Sequence, residues 1–240
     1  ENPGERGYAP SFSHMIKDLD SFVHFISKKH EIPVENIVVL ANSVGAVITS
    51  AWVHDYAPRI RGMVLAAPAF KIKLYVPFAM AGLRILNFFK KKAFISSYVK
   101  SKFLTHDVEE QRKYDSDKLI TPQIAVNILL GLFDTSKRVV EDAGAITTPT
   151  LVLSAEKDYV VDSKIQKFFY ERLSSPLKRF VSLKGFYHGV LYEKNREEAF
   201  KECAEFIDDC FKVESTNNWK PVSHYTQKEY SDLMHKHTPV

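Results

Sequence analysis

The chain is predicted to adopt an α/β fold, a mostly parallel sheet sandwiched by helices. Three observations predict it. Four short apolar runs, residues 37–40, 63–67, 150–154 and 179–183, have the length and composition of buried strands. Helical apolar periodicity lies between and around them, the alternation that produces parallel sheets. A length of 240 residues, 45% hydrophobic and 26% charged, suits one full core or one core with an inserted subdomain.

In chain order, residues 1–12 are rich in Gly and Pro and read as a loop. Ile16, Leu19, Val23 and Ile26 recur at helical spacing within 13–30 and stop before Pro33. The strand at 37–40 halts at Ala41. Ser43 follows, then Gly45 and Ala46, and a helical pattern through Ile48, Trp52 and Val53. The second strand, 63–67, is closed by Pro68. About 80 residues then pass before the next strand, far more than an ordinary connection. Strand 150–154 leads to a helix at 164–173, strand 179–183 to a helix at about 195–211. The tail, 214–240, has weak periodicity and reads as a linker or the start of something further. Internal repeats and low-complexity tracts are absent.

Charge is unevenly placed. Between Lys71 and Leu104 there are eight Lys or Arg and no Asp or Glu; the whole chain is +4, which leaves the remainder at −4. The two cysteines, Cys203 and Cys210, lie about 10 Å apart along one predicted helix, too far for a disulfide. This favours a reducing, cytosolic setting. No Cys/His spacing suggests zinc, and HExxH is absent. The longest apolar run, 74–89, is broken by Pro77, Arg84 and Asn87 and is shorter than the roughly 20 residues that span a bilayer.

Strand, abrupt turn and helix with a serine at the apex is the layout of a nucleophile elbow. The turn demands small neighbours, which Ala41 and Gly45 supply, and the Val44 backbone N–H is placed to stabilise an oxyanion. A serine hydroxyl needs a base, and an imidazole base needs a carboxylate to fix its tautomer. In a parallel sheet such groups sit at the carboxyl ends of strands. The loop after 150–154 offers Asp158, with Asp162 as a competitor that also suits a helix N-cap; the loop after 179–183 offers His188. Asp158 is preferred because it comes first after the strand end. Such chemistry calls for no metal and no cofactor.

On these residues the chain resembles the α/β-hydrolase superfamily, and within it the monoacylglycerol lipase and lysophospholipase-like group, also labelled serine aminopeptidase S33. The matching pieces are Asn-Pro-Gly-Glu-Arg-Gly-Tyr at 2–8, Ala-Asn-Ser-Val-Gly at 41–45, Met-Val-Leu-Ala-Ala-Pro-Ala-Phe at 63–70, Thr-Pro-Thr-Leu-Val-Leu-Ser-Ala-Glu-Lys-Asp at 148–158 and Gly-Phe-Tyr-His at 185–188. The order Ser43, Asp158, His188 is that of α/β-hydrolases. The resemblance covers about residues 1–212. It implies a hydrolase core at 1–70 and 147–213, a helical cap or lid at 71–146 and a linker or tail at 214–240. It also implies first strands, and a second oxyanion donor from a His-Gly loop, that would precede residue 1. An isolated 1–240 chain is then expected to be poorly active. The segments at 52–58 and 71–78 look closest to bacterial proteins in which such a hydrolase is fused to a C-terminal S-adenosylmethionine-dependent methyltransferase.

The function implied is hydrolysis of lipid-like carboxylic esters, a lysophospholipid or monoacylglycerol, through a Ser-His-Asp triad and an acyl-enzyme. Two alternatives stay open: a non-catalytic binding or regulatory module coupled to the methyltransferase, and acyl transfer to an alcohol. The S33 label by itself does not point to amide hydrolysis. Tyr75, Phe78, Phe88 and Phe89 in the cap are the expected lid and substrate contacts. Lys and Arg beside aromatic residues make up a surface suited to anionic lipid, so the expected partners are an amphiphilic ester and a membrane surface, with peripheral placement in the cytoplasm. Nucleic acid is not expected, because reader motifs are lacking.

Overall fold

The computed structural model describes residues 4–75, 78–97 and 99–212. Pro77 and the 214–240 tail lie outside them. The chain divides into a compact unit, Glu1–Cys210, and Phe211–Val240, of which only residues 211 and 212 are described.

Helix α1 (Phe12–His30) opens on Ser11, whose hydroxyl accepts from His14 N–H, and closes with Lys28, Lys29 and His30 against the negative end of its dipole. Strand β1 (Val38–Asn42) runs into helix α2 (Val44–Tyr56), and β2 (Gly62–Ala66) follows. The long connection holds α3 (Ala79–Phe89), β3 (Phe94–Ser96), α4 (Val108–Ser116), β4 (Gln123–Ala125) and α5 (Val126–Glu141). Then come β5 (Thr150–Ala155), α6 (Ser163–Arg172), β6 (Lys178–Leu183) and α7 (Glu197–Lys212).

The main sheet is parallel, in the order β1-β2-β5-β6. Successive strand residues point to opposite faces, and both faces are dry. Met63, Leu65 and Val152 join a core with residues of α1, α2, α5 and α6, while Val64, Ala66, Leu151 and Leu153 pack with Ala199, Cys203 and Phe206 of α7. Three layers result. Strand β2 is wholly buried, as a central strand covered on both sides must be, whereas β1 lies at the edge and leaves Leu40 exposed.

Two features of the connection differ from a purely helical cap. Strands β3 and β4 pair antiparallel as a separate two-stranded sheet, and β4 is tied to the N-terminal loop by Ala125 N–H donating to Gly7 O. Helix α5 buries Ile128, Leu129, Leu132 and Val139 in the main core. The start of the connection also pairs with the loop after β5: Ile72 bridges Val161, and Lys73 N–H donates to Val160 O.

Candidate active site

Ser43 sits between β1 and α2 with φ 52° and ψ −114°, a left-handed conformation that costs a non-glycine residue on the order of 1–3 kcal/mol. The surroundings hold it there. Its N–H donates to Ala66 O at the end of β2, and its carbonyl accepts from Ala46 N–H and Ala69 N–H. The turn also brings Ala41 under Gly45. A Cβ on Gly45 would lie 4.0 Å from that of Ala41, so the position has room for a methyl group. The need for small residues is therefore shared between the two positions.

The strand ends bring the other two predicted residues to this serine. Ser43 Oγ lies 2.8 Å from His188 Nε2, and His188 Nδ1 lies 2.8 Å from Asp158 Oδ2. A carboxylate only accepts, so Nδ1 carries the ring proton and Nε2 is left to accept from the serine hydroxyl. His188 and Asp158 are both buried. The second Asp158 oxygen accepts Val160 N–H at 2.7 Å and Val161 N–H at 2.8 Å. Asp162 does something else: it caps α6 by accepting Lys164 N–H at 3.1 Å and faces Lys71 at 3.3 Å. The two carboxylates the sequence left in competition thus have separate places.

Two cavities meet at this group. The larger, about 650 Å³, is walled chiefly by aliphatic side chains including Ile72, Leu83, Leu86, Leu132 and Val160, with Ser43, Val44 and His188 also on its surface. The smaller, about 350 Å³, has charged and polar side chains in its wall, among them Thr105, Glu110, Gln111 and Lys113, beside apolar ones such as Leu104 and Ile120. Asn42 and His188 line both. Asn42 Oδ1 is buried without a hydrogen-bond partner among the described residues. Val44 is the first residue of α2, where backbone N–H groups have no partner within the helix.

Of the expected lid residues, Tyr75 reaches the larger cavity, and its hydroxyl donates to Tyr159 O at 2.7 Å. Phe78, Phe88 and Phe89 do not line it; they are 90%, 74% and 81% exposed. Helix α3 turns Ala79, Leu83 and Leu86 toward the cavity, and the helical repeat carries these phenylalanines elsewhere. Asn42 and Glu193 are the site-proximal residues that sequence reasoning missed. The signal for Asn42 was its place inside the elbow motif. Glu193 had none, because beside the nearby Tyr187 N–H its partners come from a segment more than 80 residues away.

Cys203 and Cys210 are free and buried, and burial pushes both thiols up to about 11. Among the described residues no group of three His, Cys, Asp or Glu is arranged to hold a metal ion, and no helix is long and apolar enough to cross a membrane.

Residues 1–195 match the family described as serine aminopeptidase, S33. The chain is 49% identical over 207 residues to the uncharacterized protein YnbC of Escherichia coli K12, an alignment that covers 86% of this chain and 35% of YnbC. It is 24% identical over 206 residues to phospholipase YtpA of Bacillus subtilis 168, covering 85% of this chain and 78% of YtpA. The fold superposes on the crystal structure of a monoacylglycerol lipase from Paleococcus ferrophilus with a TM-score of 0.77 at 22% identity, covering 87% of this chain and 79% of that one. The chain therefore spans about a third of YnbC and most of YtpA. With an α/β-hydrolase fold and a sequence that matches over most of its length, this chain belongs to the serine aminopeptidase S33 family of α/β-hydrolases.

Proposed function

We propose that the chain is the hydrolase part of a serine esterase that cleaves lipid-like monoacyl esters, a lysophospholipid or a monoacylglycerol. The observation that carries this is the hydrogen-bonded series Ser43–His188–Asp158 opening onto a cavity with an apolar wall. Ser43 Oγ attacks the ester carbonyl while His188 Nε2 takes its proton. Asp158 holds the imidazole in the tautomer that accepts and stabilises it once charged. The oxyanion of the tetrahedral intermediate accepts a hydrogen bond from Val44 N–H. His188 then gives the proton to the leaving alcohol, and an acyl-enzyme remains on Ser43. Water, deprotonated by the same nitrogen, releases the fatty acid and regenerates the serine.

The two cavities suit the two ends of such a substrate. The larger would take the acyl chain, with Tyr75 in its wall, and the smaller, with Thr105, Glu110, Gln111 and Lys113 in its wall, the alcohol or head group. YtpA is named a phospholipase and the Paleococcus protein a monoacylglycerol lipase, which is consistent with this class. The outward phenylalanines of α3 and Lys90, Lys91 and Lys92 beside them would rest on an anionic membrane surface, the source of the amphiphile.

The test is fluorophosphonate labelling and ester turnover in the full-length protein. Wild type is expected to label at Ser43, and Ser43→Ala to lose labelling and to lose turnover by about a millionfold, as removal of the nucleophile does in other serine hydrolases. Wild-type-like turnover by Ser43→Ala would rule the mechanism out.

A further inference from the structure

Glu193 lies five residues beyond His188 in the sequence, with its side chain only 4% exposed. A carboxylate buried to that degree is costly unless donors surround it. Here they come from two separate segments. Oε1 accepts Tyr187 N–H at 2.8 Å, from the residue before His188, and lies 3.0 Å from His106 Nδ1. Oε2 accepts His106 N–H at 3.0 Å and lies 3.2 Å from Thr105 Oγ1. Burial raises the Glu193 pKa, but the Tyr187 and His106 hydrogen bonds and the His106 charge outweigh it, so the carboxyl is held below its ordinary value.

The same two segments are joined at other points. Gly189 N–H donates to Leu104 O at 2.7 Å, and a Cβ on Gly189 would come within 2.9 Å of that oxygen, so only glycine fits without displacement. Thr105 Oγ1 donates to Tyr192 O at 2.8 Å. The His106 ring packs against Tyr187 with centroids 3.7 Å apart and planes tilted by 36°, and Tyr187 meets Tyr159 edge-on at 5.0 Å. Tyr159 follows Asp158 and Tyr187 precedes His188. The segment from Leu104 to His106 thus presses on the chain neighbour of the imidazole, and through Tyr187 on that of the carboxylate.

We infer that Glu193 is a positioning residue: it fastens the His188 loop to the 104–106 segment and so keeps His188 Nε2 aimed at Ser43. This rests on the proposed roles of Ser43 and His188 and adds a residue that touches neither the serine nor the imidazole. Its action is through the backbone of Tyr187. Each Glu193 oxygen accepts a backbone N–H, of Tyr187 and of His106, so Gln at this position would set an NH₂ against one of these donors and leave the loop with fewer tethers. Small displacements of a reacting group are costly, and a misplacement near 1 Å can cost about a hundredfold in rate.

The experiment compares wild type, Glu193→Gln, His106→Ala and Ser43→Ala as full-length proteins. It reads the fluorophosphonate labelling rate per folded molecule, with folding scored by circular dichroism, and the low-field proton signal of His188 Nδ1–H by NMR. The expected result is labelling slowed by about fivefold or more in Glu193→Gln, with that proton signal broadened or lost while the fold persists. A merely structural role would lower the melting temperature and leave both readouts of the folded fraction unchanged. Should Glu193→Gln fail to fold, His106→Ala decides, since it keeps the Glu193–Tyr187 hydrogen bond and removes the ring that holds Glu193 and packs on Tyr187: labelling slowed by about twofold or more supports the inference, and a smaller change overturns it. Labelling of folded Glu193→Gln slowed by less than about fivefold overturns the positioning role alone. Labelling of Ser43→Ala at the wild-type rate overturns the serine mechanism itself.

Discussion

At Asp158 three donors converge on one buried carboxylate: two backbone N–H groups from its own loop and the Nδ1–H of His188. Asp162, four residues on, spends its oxygens on a helix end and a partly exposed lysine. Their substitutions should therefore separate cleanly. Asp158→Asn presents an amide where only an acceptor serves, releases the imidazole tautomer and should lower ester turnover by about ten-thousandfold. Asp162→Asn keeps an N-capping oxygen, and Asp162→Ala loses it at about 1 kcal/mol of stability; both should turn over ester at rates near wild type. Turnover of both series beside thermal melts checks this, and a reversed ranking would move the acid to position 162. Most of this candidate site was legible in the sequence, because the proposed nucleophile, acid and base follow the ends of β1, β5 and β6 and are placed by the sheet itself. Glu193 was illegible for the opposite reason. Its meaning depends on Thr105 and His106, which only the folded connection between β2 and β5 brings near.

Helix α3 shows what periodicity leaves open at the level of an element. It is apolar on more than one side, with Ala79, Leu83 and Leu86 toward the cavity and Phe78, Ile85, Phe88 and Phe89 exposed. A pattern with apolar residues all round does not tell the inner face from the outer. For that reason the sequence marked the phenylalanines as substrate contacts while Leu83 and Leu86 form the wall. Strands β3 and β4 escaped notice because each has three residues, too few for an alternation to register. The exposed face yields its own prediction. Phe88→Ser with Phe89→Ser should weaken binding of the full-length protein to vesicles containing phosphatidylglycerol by about tenfold or more, because two large side chains each lose an apolar site of about 1.5–3 kcal/mol. Turnover of a short-chain soluble ester should stay unchanged, since neither residue lines the cavity. Sedimentation with anionic and neutral vesicles at two salt concentrations measures it. Equal binding to both vesicle types would remove the anionic surface from the account, and unchanged binding by the variant would remove this face.

Over the whole molecule, helices that pack on one core are tied by charge as well as by burial, and this sets how the fold should respond to acid. On the α2 side of the sheet, Asp55 accepts from Arg138 of α5 through both oxygens, at 2.6 and 2.8 Å, and lies 2.7 Å from His54 Nδ1. His54 Nε2 in turn lies 2.8 Å from Asp142, just past the end of α5. One cluster therefore clamps the ends of two helices that pack on the same core. Burial raises the Asp55 pKa, but hydrogen bonds and charge from Arg138 and His54 overcome this and hold it below its ordinary value near 4. Glu193 is held low in the same sense. A carboxyl whose pKa is lower folded than unfolded binds fewer protons in the folded state at acid pH. Its contribution is therefore present in full above the unfolded value and lost as pH falls through the folded one. The urea midpoint should be nearly level from neutrality down to about pH 5 and drop below it. Asp55→Asn should lose about 1 kcal/mol at neutral pH. Its deficit against wild type should shrink toward pH 3, where protonation of Asp55 removes the same charge. Denaturation curves of both proteins across this range decide the matter: a deficit that stays constant with pH would mean that the Asp55–Arg138 contact holds the helices by packing and not by charge.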